Sequence, residues 1–117
     1  MATITATNIN SATGAVTATR TTLGSSDTFT FNTSYNPVLV LDNVTAGALT
    51  VTIDGDGGTT VPVKGVGSVS VTGGYSTGSI AAGACVVIQL NTIFEYLRGT
   101  IAVTGGTGIK ATLIEYR

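Results

Sequence analysis

Apolar and polar residues alternate with a period of two along most of this 117-residue chain. Successive side chains of a β-strand point to opposite faces, so this period predicts strands with one apolar face and one polar face. Threonine or serine fills most of the polar positions, and β-branched threonine suits a half-buried pleated surface. The alternation covers the segments 2–7, 28–31, 49–53, 68–72, 101–103 and 109–113.

Two further segments are continuously apolar rather than alternating, namely residues 38–41 and 85–88. Strands that are covered on both faces have this pattern. The opposite sheet of a sandwich can cover one face. The second face then needs a neighbouring segment or another subunit.

Turn signals separate these segments at intervals of roughly eight to twelve residues, which is typical of a sandwich or barrel. The glycine-rich segment 54–58 predicts a hairpin loop that joins a strand at 49–53 to one at 60–64. No segment keeps a helical period over three turns. The best helical candidate is 91–98, with Asn91 as N-cap, and a single turn and an extended segment fit it equally well.

These patterns predict a single all-β domain over residues 1–117, a jelly-roll-like antiparallel β-sandwich of about eight strands. The alternative is an immunoglobulin-like sandwich, which does not require the cysteine and tryptophan signature that this chain lacks. Residues 8–14 form either a simple loop or the lead of an N-terminal arm at 1–14. Such an arm would add a strand to a neighbouring subunit.

The composition restricts the functions that this chain can have. The chain has 11 charged residues and no histidine, against 16 glycines and 23 threonines. So little charge gives a weak electrostatic barrier to self-association. The five basic residues are scattered, whereas nucleic-acid binding needs a concentrated positive surface. We therefore expect protein partners and no nucleic acid.

The chain also lacks the groups from which most active sites are built. Without histidine the commonest general base and metal ligand are absent, so Ser-His-Asp, Cys-His and zinc-histidine sites are excluded. Asp54 and Asp56 are the only close carboxylates, and a hairpin loop explains them better than a calcium site with too few ligands. Cys85 has no disulfide partner and is predicted to be a buried apolar residue. We expect no enzyme activity, no catalytic residue, no cofactor and no metal.

The amino-terminal segment lacks the basic and apolar regions of a secretory signal. No apolar stretch approaches the roughly 18 residues needed to span a bilayer. We therefore expect no membrane association and no glycosylation at the sequons of Asn32 and Asn43.

Segments 37–53, 82–88, 94–105 and 108–114 resemble small capsid decoration (cement) proteins of tailed bacteriophages. The resemblance implies a jelly-roll-like sandwich, often a trimer and sometimes a dimer, bound to the major capsid protein on the outside of the capsid. It implies a structural virion protein, made in the host cytoplasm, that stabilises the shell by bridging capsid subunits. It brings no catalytic residues. The alternative is a phage tail or fibre module that binds host glycans through Tyr35, Tyr75 and Tyr96.

Self-association is also expected from the apolar segments, because a two-sheet sandwich has one interior and these segments need cover on two faces. We expect a homo-oligomer, with a trimer favoured over a dimer. The amino-terminal strand contributes to this interface if it is exchanged between subunits. The predicted interface residues are Ile4, Ala6, Val38, Val40, Phe94 and Tyr96.

Overall fold

A computed structural model describes residues 2–10, 14–55, 60–70 and 73–116. These residues form twelve strands and two short 3₁₀ helices, at Thr33–Tyr35 and Leu90–Tyr96. The strands are β1 (Ala2–Thr3), β2 (Ala6–Asn8), β3 (Arg20–Thr22), β4 (Ser26–Phe29), β5 (Val38–Asp42), β6 (Leu49–Gly55), β7 (Thr60–Val63), β8 (Gly67–Ser70), β9 (Tyr75–Ile80), β10 (Cys85–Gln89), β11 (Ile101–Thr104) and β12 (Lys110–Glu115).

Eight of these strands form nested antiparallel pairs: β3 with β12, β4 with β11, β5 with β10 and β6 with β9. Two further pairings join these nested pairs into two sheets, because β12 also pairs with β5 and β11 also pairs with β6. Sheet A therefore contains β4-β11-β6-β9, and sheet B contains β3-β12-β5-β10. Two four-stranded sheets connected in this way are a jelly roll. The jelly-roll prediction is confirmed, and the order differs from that of the immunoglobulin-like alternative.

The amino-terminal strands extend both sheets of the same chain. β1 pairs with β4 in sheet A and β2 pairs with β12 in sheet B, and both pairs are parallel rather than antiparallel. Between them Ile4 crosses from one sheet to the other. Its side chain is 2% exposed, and its N–H donates to the carbonyl oxygen of Thr28 at 2.7 Å. Residues 2–8 are thus built into the sandwich of their own chain.

The predicted hairpin between residues 49–53 and 60–64 is wrong. β6 pairs with β9 and β11, whereas β7 pairs with β8 at the tip of the long nested hairpin. Gly55 belongs to β6, and a Cβ built there would lie 2.3 Å from the carbonyl oxygen of Arg98. Glycine is needed here for the close approach of two main chains. Residues 56–59, including Asp56, lie outside the described residues.

The core lies between the two sheets. β5 shows how it is built, because Leu39 and Leu41 are fully buried while Val38 and Val40 point to the opposite face and stay partly exposed. Four polar residues are also buried, namely Thr7, Asp27, Asn43 and Glu115. The other large buried apolar side chains are Ile4, Leu23, Phe29, Val51, Ile53, Ile80, Ile88, Leu90, Ile93, Leu97, Ile101, Val103, Ile109 and Leu113.

Residues 91–96 of the helical candidate at 91–98 belong to the second 3₁₀ helix, which begins at Leu90 and is interrupted at Ile93, whereas residues 97 and 98 lie outside it. Asn91 is not its N-cap, since that position is Gln89. Instead the Asn91 side-chain amide donates to the carbonyl oxygen of Thr33 at 3.2 Å and to Oδ1 of Asn36 at 3.3 Å. The residue therefore connects the two 3₁₀ helices, which close one end of the sandwich.

Candidate functional site

The outward faces of the two sheets differ in chemistry. On sheet A, the outward positions of β4, β11 and β6 are mostly hydroxyl-bearing. Thr104 of β11 lies opposite Ser26 on one side and opposite Thr52 on the other. Thr50 and Ser76 continue this polar surface. Such a face is well solvated and needs no protein cover.

The outward face of sheet B carries aliphatic side chains, and we call Val38, Val40, Val87 and Ile114 the aliphatic face. Val40 lies directly opposite Val87 of β10, and Val38 lies directly opposite Ile114 of β12. Val87 is 63% exposed, and the other three are partly buried. A contiguous aliphatic patch on one side of a small β-domain is typical of an interaction surface.

Charged residues collect at one end of the aliphatic face. Arg20 Nη2 donates to Asp42 Oδ2 at 3.0 Å, and both side chains are exposed to solvent. Lys110 lies opposite both Asp42 and Thr22 and donates to the Thr22 hydroxyl. An exposed pair of this kind contributes only about 0–1 kcal/mol to stability. Its position gives the apolar surface a polar rim on one side.

The structure brings together two of the six predicted interface residues, Val38 and Val40, on the aliphatic face. Ile4 lies in the core of its own chain, so an interface role for it requires exchange of the amino-terminal strand. Ala6 is partly buried on β2, at the inner face of sheet B.

Phe94 and Tyr96 lie in the second 3₁₀ helix and not on the strands that carry the aliphatic face. The Phe94 side chain is 45% exposed. Tyr96 is partly buried, and its ring packs edge-on against that of Tyr75 with a centroid separation of 5.9 Å. These two residues remain candidates for a separate contact at the end of the sandwich.

Sequence reasoning missed the exposure of β10. Cys85 was predicted to be buried, but it is exposed, because the odd-numbered residues of β10 point outward and the even-numbered Val86 and Ile88 pack against the core. In a continuously apolar segment the inward and outward positions carry the same type of residue. The sequence pattern therefore does not indicate which residues face solvent.

The hairpin formed by β7 and β8 is a second feature that the sequence did not indicate. These strands form a sheet of their own, and Gly65 in their turn and Gly67 at the start of β8 have positive φ. Val66 at the turn is 71% exposed, and Val69 is exposed as well. An isolated two-stranded hairpin is marginally stable in water. Its exposed valines therefore suit packing against another protein.

A cleft of about 510 Å³ opens where the amino-terminal segment crosses between the sheets. Tyr35 and the buried carboxylate residue Glu115 share its lining. Tyr75 and Tyr96 lie elsewhere as a pair. Of the three tyrosines considered for glycan binding, Tyr35 is thus the one that lines this cleft. The remaining lining is Thr3, Ile4, Thr5, Ala6, Thr30, Phe31, Asn32 and Leu113.

The buried polar residues have structural partners. Asp27 Oδ2 accepts a hydrogen bond from the Gly24 N–H at 2.7 Å, which closes the loop before β4. Asn43 is fully buried, so the asparagine of this sequon belongs to the interior of the fold.

In the described part of the chain, no three cysteine or carboxylate residues cluster as metal ligands. No helix among those residues has the length and hydropathy needed to cross a bilayer. Comparisons with protein-family models, with characterised proteins and with solved structures gave no match.

Proposed function

We propose that this protein is a structural virion component that binds the outer surface of a bacteriophage capsid and stabilises the shell. The observation that carries the proposal is the difference between the two outward faces of the jelly roll. An aliphatic face on sheet B suits protein contact, and a hydroxyl-rich face on sheet A suits exposure to solvent. A decoration protein needs this division between an attached side and a free side.

A protein that bridges capsid subunits needs two places of attachment. The aliphatic face is one, and the β7–β8 hairpin with Val66 and Val69 is the other. The hairpin is inserted between β6 and β9 of sheet A, whereas the aliphatic face belongs to sheet B. Contacts at both places would connect neighbouring copies of the major capsid protein. Low charge supports such packing at high local concentration.

The protein is made in the host cytoplasm and ends on the capsid exterior. Its partners are the major capsid protein and other copies of itself. The resemblance of four of its segments to tailed-phage decoration proteins supports this reading.

The test uses virus particles with and without the protein. Particles that lack it should rupture at a lower temperature, measured by release of DNA, and adding purified protein should restore the original value. A Val66→Asp variant should bind particles less well, because a carboxylate would replace an apolar contact of the hairpin. Val44→Asp is the matched control, since Val44 is a similarly exposed valine outside the hairpin. Equal rupture temperatures, or absence of the protein from the shell, would refute the proposal.

The cleft beside Tyr35 favours one alternative, a glycan-binding module of a phage tail or fibre. A sugar could stack on the ring of this tyrosine, which lines the cleft. A glycan array should then give hits that Tyr35→Ala abolishes and Tyr116→Ala preserves. An array without hits would remove this alternative.

A further inference from the structure

Strand β10 forms an open edge of sheet B, because in the described residues it pairs with β5 alone. The Asn43 N–H donates to the carbonyl oxygen of Ala84, and the Leu90 N–H donates to that of Pro37. In an antiparallel ladder the residues that bond to a given neighbour alternate along the strand. The even-numbered residues of β10 therefore bond to β5, and Cys85, Val87 and Gln89 direct their main-chain N–H and C=O groups to the open edge.

We propose that β10 pairs antiparallel with β10 of a second copy of this chain, with a two-fold axis at Val87. In this register Val87 lies opposite the partner's Val87, and Cys85 lies opposite the partner's Gln89. Every outward-directed main-chain donor and acceptor of β10 then meets a complementary group. An axis at Val86 or Ile88 would leave one of the three outward residues outside the pairing. The Gln89 carbonyl already accepts from the Thr92 hydroxyl, and its second lone pair remains for the partner.

The other edges of the two sheets are less suited to pairing. β1 has two residues, and β2 and β3 have three each. β9 is irregular, with a register shift against β6 and Gly78 at φ +73°. β10 has five residues in unbroken register and contains no charge and no proline. It thus lacks the features that keep natural edge strands from pairing with another chain.

The side chains on both faces fit the same register. On the outward face, Val40 and Val87 continue into the partner's Val87 and the partner's Val40, so two aliphatic faces join into one. Asp42 lies directly opposite Cys85, and Cys85 in turn lies directly opposite the uncharged Gln89 of the partner subunit. No like charges are brought opposite each other. On the inner face, Val86 meets the partner's Ile88 and extends the apolar cores.

The pairing does not rest on capsid binding and concerns the isolated protein. It yields a dimer, because each copy offers one such edge and identical antiparallel strands pair about a two-fold axis. The trimer implied by the family resemblance is therefore the competing outcome.

The first test is the molar mass at micromolar concentration, measured by analytical ultracentrifugation. The native chain should sediment as a dimer. Val87→Lys should sediment as a monomer with an unchanged circular dichroism spectrum, because two lysines would face each other on the axis. Val66→Lys, an exposed valine in the β7–β8 hairpin, should remain a dimer. A monomeric or trimeric native chain, or a dimeric Val87→Lys variant, would overturn the proposal.

The second test fixes the register by disulfide formation. Directly opposed residues of a hydrogen-bonded pair have Cα atoms about 5.5 Å apart, within the range that a disulfide spans. Under mild oxidation, Gln89→Cys should form a covalent dimer through Cys85 of the partner subunit. The native chain, and Gln89→Cys combined with Cys85→Ser, should stay uncrosslinked. Rapid crosslinking of the native chain, or none in Gln89→Cys, would refute the register even if a dimer is found.

Discussion

The side-chain amide of Asn43 donates a hydrogen bond of 2.9 Å to the main-chain carbonyl oxygen of Ile80, 37 residues later in the chain. The same amide donates to the carbonyl oxygen of Gly47, and its oxygen accepts from the Thr45 N–H. One buried side chain thus connects the end of β5, the loop that follows it and the last residue of β9. It holds the crossing from sheet A to sheet B in place.

We expect Asn43→Asp to destabilise the fold. The change removes both donated hydrogen bonds and leaves a carboxylate oxygen facing two carbonyl oxygens in a buried site. An unsatisfied buried polar group costs about 1–3 kcal/mol, and more if it is charged. Urea denaturation followed by circular dichroism measures the loss. Asn32→Asp is the control, because that exposed residue only accepts a bond, from the Ser34 N–H, and aspartate can do the same. Equal stability of the two variants would contradict the role of Asn43.

We expect Ile4→Ala to lower the free energy of unfolding by about 2–5 kcal/mol, the usual cost of such a truncation in a core. Ile9→Ala should have little effect, since Ile9 is exposed beyond β2. Thermal unfolding measures both. Removal of residues 2–10 should likewise destabilise the chain, contrary to what a detachable arm would predict. If Ile4→Ala unfolds like the native chain, the amino-terminal strand is not part of the core.

We expect Gly55→Ala to be costly and Gly47→Ala to be mild. At Gly55 a methyl group would meet main-chain atoms of Arg98 and Tyr96, which cannot move independently, whereas at Gly47 nothing lies within 4 Å. Overpacking of this kind typically costs about 1–3 kcal/mol. The midpoints of urea denaturation give the comparison. Similar midpoints would show that the close approach is not present in solution.

We expect the thiol of Cys85 to react with a thiol-specific reagent in the folded protein. The side chain is exposed on the outward face of β10, and the proposed dimer leaves that face open. After Ellman's reagent is added without denaturant, the absorbance should correspond to one reacted thiol per chain. A thiol that reacts only after unfolding would place Cys85 in the core.

The alternation of residue types predicted the strands and the sandwich well, because burial on one face is a local property of a strand. In β6, for example, Val51 and Ile53 are buried, and Thr50 and Thr52 between and before them point outward. The pairing partners of the strands could not be predicted in the same way. The glycine-rich segment after Ile53 suggested a local hairpin, yet β6 pairs with the more distant β9. A glycine required by a close approach has the same signature in sequence as a glycine required by a turn.

The candidate site was harder to predict from the sequence, because it depends on which strand lies at the edge of a sheet. Val87 and Cys85 lie in a continuously apolar segment, a pattern that predicts burial on both faces. They are exposed because β10 is the last strand of sheet B and its odd residues face outward. Val38 and Val40 were found because the doubly apolar segment indicated a second face in need of cover. Strand order across a sheet is a long-range property that no short segment encodes.

The nested pairing has a consequence for synthesis on the ribosome. β12 pairs with β2, β3 and β5, which are made far earlier. Thr22, for example, has no partner in β12 until Lys110 has been made, so sheet B is completed only after residue 110 has emerged from the ribosome. Contacts of such long range make folding slow. β2, β3 and β5 therefore stay without this partner during much of synthesis, and chaperones that shield those strands would raise the yield of folded protein.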